Sequence, residues 1–304
     1  MSVKTNYIEV VKDALLASYK KVLSERERAK VLYGKQKDIR TKGDIDAGQA
    51  IINSLRKSNL SLVAYSEEFE RVEIKPQAQY SVVFDEIDGT LNYRDGFGML
   101  PHGSILGIFE STDPKFNECL ASGYLDFNTG NLFYTVKNQG VYLVEGWTKG
   151  NREEIQIHTS GRKSISGETF LRVVPDLYTL GSLSQHFTQY ANRAWLGDFR
   201  STAVHLALVA CGSVDIFVAG DNCYIPTKKE TGEEIGPGYL LVKEAGGVML
   251  DWNGNDLGRE RIGLHEKKTF HVVVAATEKL GKEFVDEMHK IPEIVNYLKK
   301  KKIL

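Results

Sequence analysis

The stretch Val82-Val83-Phe84-Asp85-Glu86-Ile87-Asp88-Gly89-Thr90 runs an apolar strand straight into two aspartates, a glycine and a threonine. Asp85 and Asp88 converge only if the chain turns sharply there, which Gly89 permits. Two carboxylates held together repel unless a cation neutralises them. Hard divalent ions such as Mg²⁺ take oxygen ligands of this kind. The backbone N–H groups of Gly89 and Thr90 are then free to cradle an anion beside the metal. Taken alone, an Asp-Gly pair after a strand also reads as an ordinary turn.

Two further acidic pieces strengthen the chemical reading. Ser66-Glu67-Glu68 ends another apolar strand, so both clusters terminate strands that can be neighbours, and Glu67 can then bridge a metal and an attacking water. Glu233 and Glu234 precede Gly236 to Gly247, which reads as a short helix capped by Gly246 and followed by a strand ending at Asp251. A carboxylate at a helix start either reaches into a site or complements the helix dipole. His205, on an apolar helix, reads as a hydrogen-bonded core or pocket-edge histidine, and Cys211 as helix core. His102 has no partner spacing that supports a role, and Trp195 and Trp252 read as packing residues.

The elements that must position these groups follow from periodicity. Tyr7 to about Arg28 places Ile8, Val11, Leu15, Tyr19 and Val22 on one helical face. A second helix follows Asp44, with Asp44 or Asp46 near its N-cap and Ala47, Ile51, Ile52 and Leu55 inward. Residues Gly34 to Gly43 between them read as a turn or short hairpin. Strands are expected at Ser61–Tyr65, Tyr80–Phe84, Gly103–Phe109, Cys119–Leu125, Asn131–Val136 and Gly140–Val144, as a meandering sheet. The second half reads as strand Phe170–Val174, helices Ser182–Asn192 and Thr202–Cys211, strand Val214–Ala219, helix Tyr239–Ala245 and strand Val248–Asp251. Strand Phe270–Ala275 and helix Glu278–His289 close it. The lysines at 299 to 302 read as a solvated tail.

The three acidic pieces, in this order, resemble the inositol monophosphatase superfamily, which includes fructose-1,6-bisphosphatases and phosphoadenosine-phosphate phosphatases. Its Gly-Glu-Glu turn corresponds to Ser66-Glu67-Glu68, and its Asp-Pro-(Ile/Leu)-Asp-Gly-Thr to Asp85 through Thr90. Its Trp-Asp before Glu-Ala-Gly-Gly corresponds to Glu233-Glu234 before Glu244-Ala245-Gly246-Gly247. Tyr124 to Gly140 resembles the family's hairpin, and Ser201 to Asp215 its Gly-Ser-Ala-Ala helix and following strand. The resemblance runs from about Asp44 to Asp251. It implies an α/β (α+β) fold, a layered αβαβα sandwich of the sugar-phosphatase type, formed by one catalytic domain over 1–304 with the site between halves 1–150 and 151–304.

The resemblance also implies roles. Glu67, Asp85, Asp88, Glu234 and the carbonyl of Ile87 would hold two or three Mg²⁺ ions. Thr90, supported by Asp44 and Glu67, would orient the attacking water, and Asp88, Gly89, Thr90, Arg200 and Thr202 would meet the phosphate or substrate. The substrate would be a small phosphomonoester (an inositol phosphate, a sugar phosphate or a nucleotide 3'-phosphate), with homodimerisation and lithium sensitivity expected. Four positions depart from the pattern: Glu86 stands for the usual proline, Glu234 for the usual aspartate, and Gly197 and Arg200 exchange Arg and Gly. Residues 220 to 232 form a longer polar connection than is usual.

Two rival readings are weighed. Glu86-Ile87-Asp88-Gly89-Thr90-Leu91 mimics the Asp-x-Asp-Gly-Thr-Leu signature of haloacid-dehalogenase-type phosphatases, but that mechanism needs an aspartate nucleophile at position 86. The departures also fit a divergent, weakly active or inactive paralogue that binds a phosphorylated ligand. Against this, such an inactive chain has no physical need for mutually repelling carboxylates.

Composition sets the outer bounds. With 304 residues, 39 Lys+Arg against 40 Asp+Glu and a net charge of -1, no global field favours a nucleic acid or membrane partner. Three scattered cysteines without CxxC spacing suit a reducing compartment. No apolar signal region is evident and no stretch is long enough to span a bilayer, so a cytoplasmic enzyme is expected.

Overall fold

Apolar spacing dictates the outermost helices. Helix α1 (Tyr7–Ser24) buries Val11, Ala14, Leu15, Ser18 and Val22 along one stripe, and α2 (Lys42–Lys57) buries Ala47, Gly48, Ile51, Ile52 and Leu55. Between them lies a small antiparallel pair, β1 (Val31–Tyr33) with β2 (Arg40–Thr41). In this computed structural model, residues 6–24, 31–33, 40–96, 98–173, 183, 185–187, 199–220, 230–264 and 268–300 are described.

The two helices cover one face of an eight-stranded sheet. Its strands are β3 (Leu62–Ser66), β4 (Glu70–Glu73), β5 (Tyr80–Asp88), β6 (Gly103–Phe109), β7 (Cys119–Asp126), β8 (Leu132–Val136), β9 (Val141–Val144) and β10 (Ile155–Ile157), in the order β10-β9-β8-β7-β6-β5-β3-β4. Only β3 and β5 run parallel; the other pairs are antiparallel. Alternation along the strands decides which layer each side chain joins. Leu62, Ala64, Val82 and Phe84 pack under α1 and α2, whereas Val63, Tyr65 and Val83 face the opposite core. Helix α3 (Thr90–Asp95) follows β5 directly.

The opposite core is filled by α4 (Thr202–Ala210) and α5 (Gly232–Glu244). Beyond them lies a four-stranded sheet of β11 (Leu171–Val173), β12 (Ile216–Ala219), β14 (Val248–Asp251) and β16 (Val272–Ala275), ordered β11-β12-β16-β14. Val272 and Val274 face inward, while Val273 and Ala275 pack on α6 (Glu278–Met288) and α7 (Pro292–Lys300). Helices, sheet, helices, sheet and helices therefore stack as five layers, the expected αβαβα architecture. A short pair, β13 (Glu230–Thr231) with β15 (Thr269–Phe270), precedes α5.

Several expectations change in the structure. Helix α2 begins before Asp44: its N-cap is Thr41, and Asp44 closes a capping box from the third helical position. Helix α5 begins at Gly232, not Tyr239, because Gly236-Pro237-Gly238 does not break it. A Cβ at Gly238 would lie 2.1 Å from Leu206 Cδ1, so this glycine lets α5 approach α4 closely. The lysine-rich tail continues from a packed helix: Ile294, Tyr297 and Leu298 of α7 are buried. Strands β4 and β10 carry no clear alternation of burial and were not anticipated. Of the expected helix over Ser182–Asn192, residues 183 and 185–187 are helical and the rest lies outside the described residues, as do Trp195, Gly197 and residues 221–229.

Candidate active site

Strand β5 reaches further than its apolar run suggests, because it continues through the acidic residues with a bulge. Asp85 pairs with Ile105 and Asp88 with Gly103, so one extra residue of β5 is accommodated between them. In a regular strand, residues three apart point to opposite faces. The bulge corrects that parity and brings both aspartates together. The expected sharp turn before Asp88 is thus a bulge, with the Ile87 amide donating to Asp85 Oδ1 at 3.1 Å. The turn itself comes at Gly89, whose φ is +88°. A Cβ there would meet Pro101 O at 3.1 Å and Ser201 Cβ at 3.2 Å, so only glycine fits without strain.

Asp85, Asp88 and Glu234 each offer an oxygen within 4.8 Å of the others. Glu234 comes from the first turn of α5, where its Oε2 also accepts the Thr231 amide at 2.7 Å. Burial pushes the Asp85 carboxyl well above its usual range, and the charges of Glu67, Asp88, Glu86 and Glu234 push it the same way. Three close carboxylates, with Glu67 acting on Asp85 from nearby, fit a hard divalent cation by charge and donor type. Glu67 is exposed on the turn after β3; it stands outside the close trio, but its charge presses on Asp85.

The Asp88 carboxylate is held by the start of α4. Its Oδ2 accepts from Ser201 Oγ at 2.7 Å and from the Ala203 amide at 2.5 Å, and its Oδ1 accepts from the Thr202 amide at 3.2 Å. Helix N-terminal amides suit an anion. Thr202 thus meets Asp88 through its backbone. Ser201 was missed as a site residue; a serine just before an apolar helix was the available signal. Arg200 is exposed and has a left-handed backbone, φ +53°, beside Gly89. A non-glycine residue in this region is strained, and such strain gathers at functional sites. Tyr124 is also buried near Asp88, with its hydroxyl pushed well above its usual pKa by burial and then by Asp126 and Asp88.

Thr90 opens α3 and sits between two acceptors. Its hydroxyl lies 3.1 Å from the Ile87 carbonyl and 3.3 Å from Asp44 Oδ1. Asp44 is 2% exposed; burial raises its carboxyl to about 6, against the pull of hydrogen bonds from Thr41 and Thr90.

Glu86 does not join the cluster. It is fully buried beneath α2, where a Cβ at Gly48 would lie 2.8 Å from its Cγ. Its carboxyl oxygens make no hydrogen bond of normal geometry; Ser66 is the hydroxyl facing them, and burial drives the group well above its usual pKa. The expected extra charge beside the site is therefore a side chain packed behind it. His205, as expected, is core: it stacks on Phe217 at 4.6 Å and its Nε2 accepts from the Phe199 amide. His102 is buried between Tyr93 and Phe127. Cys211 is half-buried just past α4.

The layered sandwich thus gathers clustered carboxylates at a strand bulge and at helix starts. Residues 3–292 match the model of the inositol monophosphatase family, and the chain belongs to that family. Among curated relatives, the fructose-1,6-bisphosphatase/inositol-1-monophosphatase of Thermococcus kodakarensis is 26% identical over 215 residues, 71% of each chain. The bifunctional NADP phosphatase/NAD kinase of Methanococcus maripaludis is 25% identical over 80% of this chain, which spans only 41% of that protein. The Nus factor SuhB of Pasteurella multocida is 26% identical over 83% of this chain and 82% of its own. Among solved structures, the Thermotoga maritima IMPase superposes with a TM-score of 0.71 at 19% identity, covering 96% of this chain and 98% of that one. The haloacid-dehalogenase reading is set aside by this membership, and Glu86, at its nucleophile position, is buried behind the site.

Proposed function

We propose that this protein is a Mg²⁺-dependent phosphomonoesterase acting on a small phosphorylated metabolite, with the site formed between the two halves of a single catalytic domain. The observation that carries this reading is the trio Asp85, Asp88 and Glu234, with oxygens within 4.8 Å, beside a Thr90 hydroxyl 3.3 Å from Asp44. Asp85, Asp88, Glu234, Glu67 and the Ile87 carbonyl are the groups that would hold two or three ions. Those ions supply a lowered water pKa, neutralisation of phosphoryl oxygens and stabilisation of the leaving alkoxide.

The chain's own residues do the rest. Thr90 orients the attacking water through its hydroxyl and passes the proton toward Asp44 Oδ1, whose raised proton affinity suits a base near neutral pH. Glu67 supports that water from the turn after the neighbouring strand β3. The amides of Gly89 and Thr90 hold phosphate oxygens, and Asp88 positions the substrate while anchored by α4. Thr202 and the guanidinium of Arg200 border the ester group. Homodimerisation, a cytoplasmic setting and lithium sensitivity belong to the same reading. Relatives are named for fructose-1,6-bisphosphate, inositol-1-phosphate and NADP, and these belong in the first substrate panel.

Phosphate release from that panel, together with a nucleotide 3'-phosphate, is measured with Mg²⁺ and with EDTA. Mg²⁺-dependent release lost in Asp88→Asn supports the reading. No release by folded, Mg²⁺-loaded protein overturns it in favour of a paralogue that binds a phosphorylated ligand without turning it over.

A further inference from the structure

Helix α2 opens on a capping box whose closing side chain belongs to the site. The Thr41 amide donates to Asp44 Oδ2 at 2.6 Å, and the Thr41 hydroxyl donates to the same oxygen at 2.6 Å. The Asp44 amide donates back to Thr41 Oγ1 at 3.3 Å. A carboxylate oxygen offers about two lone-pair sites. Both on Oδ2 are taken, which leaves Oδ1, the atom 3.3 Å from the Thr90 hydroxyl. An ordinary capping box consists of two amide bonds, from the third residue's N–H to the N-cap side chain and from the N-cap N–H to the third side chain. The second donor, the Thr41 hydroxyl, is therefore extra to capping.

We infer that Thr41 is a positioning residue for the reaction: its hydroxyl pins Asp44 by Oδ2 and thereby presents Oδ1 to Thr90. The inference rests on the proposed role of Asp44 as base. Two further observations support it. Thr41 is fully buried, so no water competes for its hydroxyl. Among the influences on Asp44, burial ranks first and raises its proton affinity, and the Thr41 hydroxyl ranks next and opposes it. The ionisable neighbours are Lys42 and Asp46 on α2, paired with each other, Tyr93 of α3 against Gly43, and Glu86 of β5 against Gly48. Burial and the hydrogen bonds from Thr41 and Thr90 act on Asp44 in opposite directions.

Three variants separate positioning from capping. Thr41→Ser keeps the hydroxyl, Thr41→Val removes it at nearly constant shape, and Thr41→Asp keeps a good N-cap acceptor while replacing the donor by an anion. Two readouts are taken: the ¹³C carboxyl titration of Asp44 by NMR, assigned with Asp44→Asn, and the pH profiles of kcat and KM on the best substrate. In Thr41→Val, both the titration and the acidic limb of kcat are expected to move up by about one unit. That lowers kcat about tenfold on the acidic side, with KM nearly unchanged. Thr41→Asp is expected to move both further, and Thr41→Ser to leave both in place. A folded Thr41→Val or Thr41→Asp in which Asp44 titrates as in the parent overturns the inference, whatever happens to Tm; Thr41 is then a helix cap alone. Should the parent hydrolyse no ester, the functional reading fails, and the NMR titration still decides whether Thr41 governs Asp44.

Discussion

At the residue scale, Asp44 and Asp85 sit where burial makes ionisation costly. Asp88→Asn keeps the shape but removes a charge from the trio, and is expected to lower kcat at least about 100-fold while the protein stays folded. Steady-state kinetics beside circular dichroism checks this. Asp44 gives a pH prediction whose sign is fixed by its raised value of about 6 against 3.8 in an unconstrained chain. Its stabilising contribution is complete below the unfolded value and is lost as pH rises toward 6, a change of about 3 kcal/mol. Urea unfolding of metal-free protein at pH 4 and pH 7.5 should therefore show Asp44→Asn gaining stability relative to the parent as pH rises. An equal difference at both pH values refutes it. Asp85 and Asp88 stood out in the sequence because carboxylates that end an apolar strand need an explanation, whereas roles for Thr90 and Asp44 came only from the resemblance. The burial of Glu86 was not, since it depends on a missing side chain at Gly48, far away in the chain.

At the element scale, six of the eight strands of the large sheet were legible from alternation and turn residues, and the edge strands β4 and β10, which lack clear alternation, were not. Two features were hidden for physical reasons. The bulge in β5 is a one-residue change of register that only the partner strand β6 reveals. Helix α5 was truncated in the reading because Gly236-Pro237-Gly238 has low helix propensity, yet tertiary packing overrides it. Leu206 fills the space left by Gly238. Gly238→Ala is accordingly expected to destabilise the protein by about 1–3 kcal/mol through overpacking. Leu206→Val in the same chain, which withdraws the obstructing methyl, should recover part of that loss. Chemical denaturation of both single variants and the double measures the coupling, and strict additivity counts against the close approach of α4 and α5.

At the scale of the whole molecule, the trio draws Asp85 and Asp88 from the large sheet and Glu234 from a helix on its other side, so a cation held there would join layers that otherwise meet through apolar packing. Mg²⁺ should therefore raise Tm, and EDTA should lower it. Protons compete for the same carboxylates, and Asp85 holds its proton to an unusually high pH. The stabilisation by Mg²⁺ is thus expected to be larger at pH 8 than at pH 5.5. Thermal shift across a Mg²⁺ series at the two pH values checks this, and equal shifts refute it. The layered order was legible from the resemblance, whereas the second sheet's order β11-β12-β16-β14 was not, because its strands are far apart in the chain.

The box that joins Thr41 to Asp44 has its counterpart in the bond from the Thr231 amide to Glu234, so two helices each begin with a residue of the site. The first turn of a helix is where fraying starts, with an opening free energy well below that of global unfolding. Unwinding either turn would carry a functional carboxylate away while the layers behind it stay packed. Heat should therefore silence the enzyme before it melts it, and cooling should restore it. Amide hydrogen exchange in those two turns would then track the temperature of inactivation more closely than exchange in the sheets.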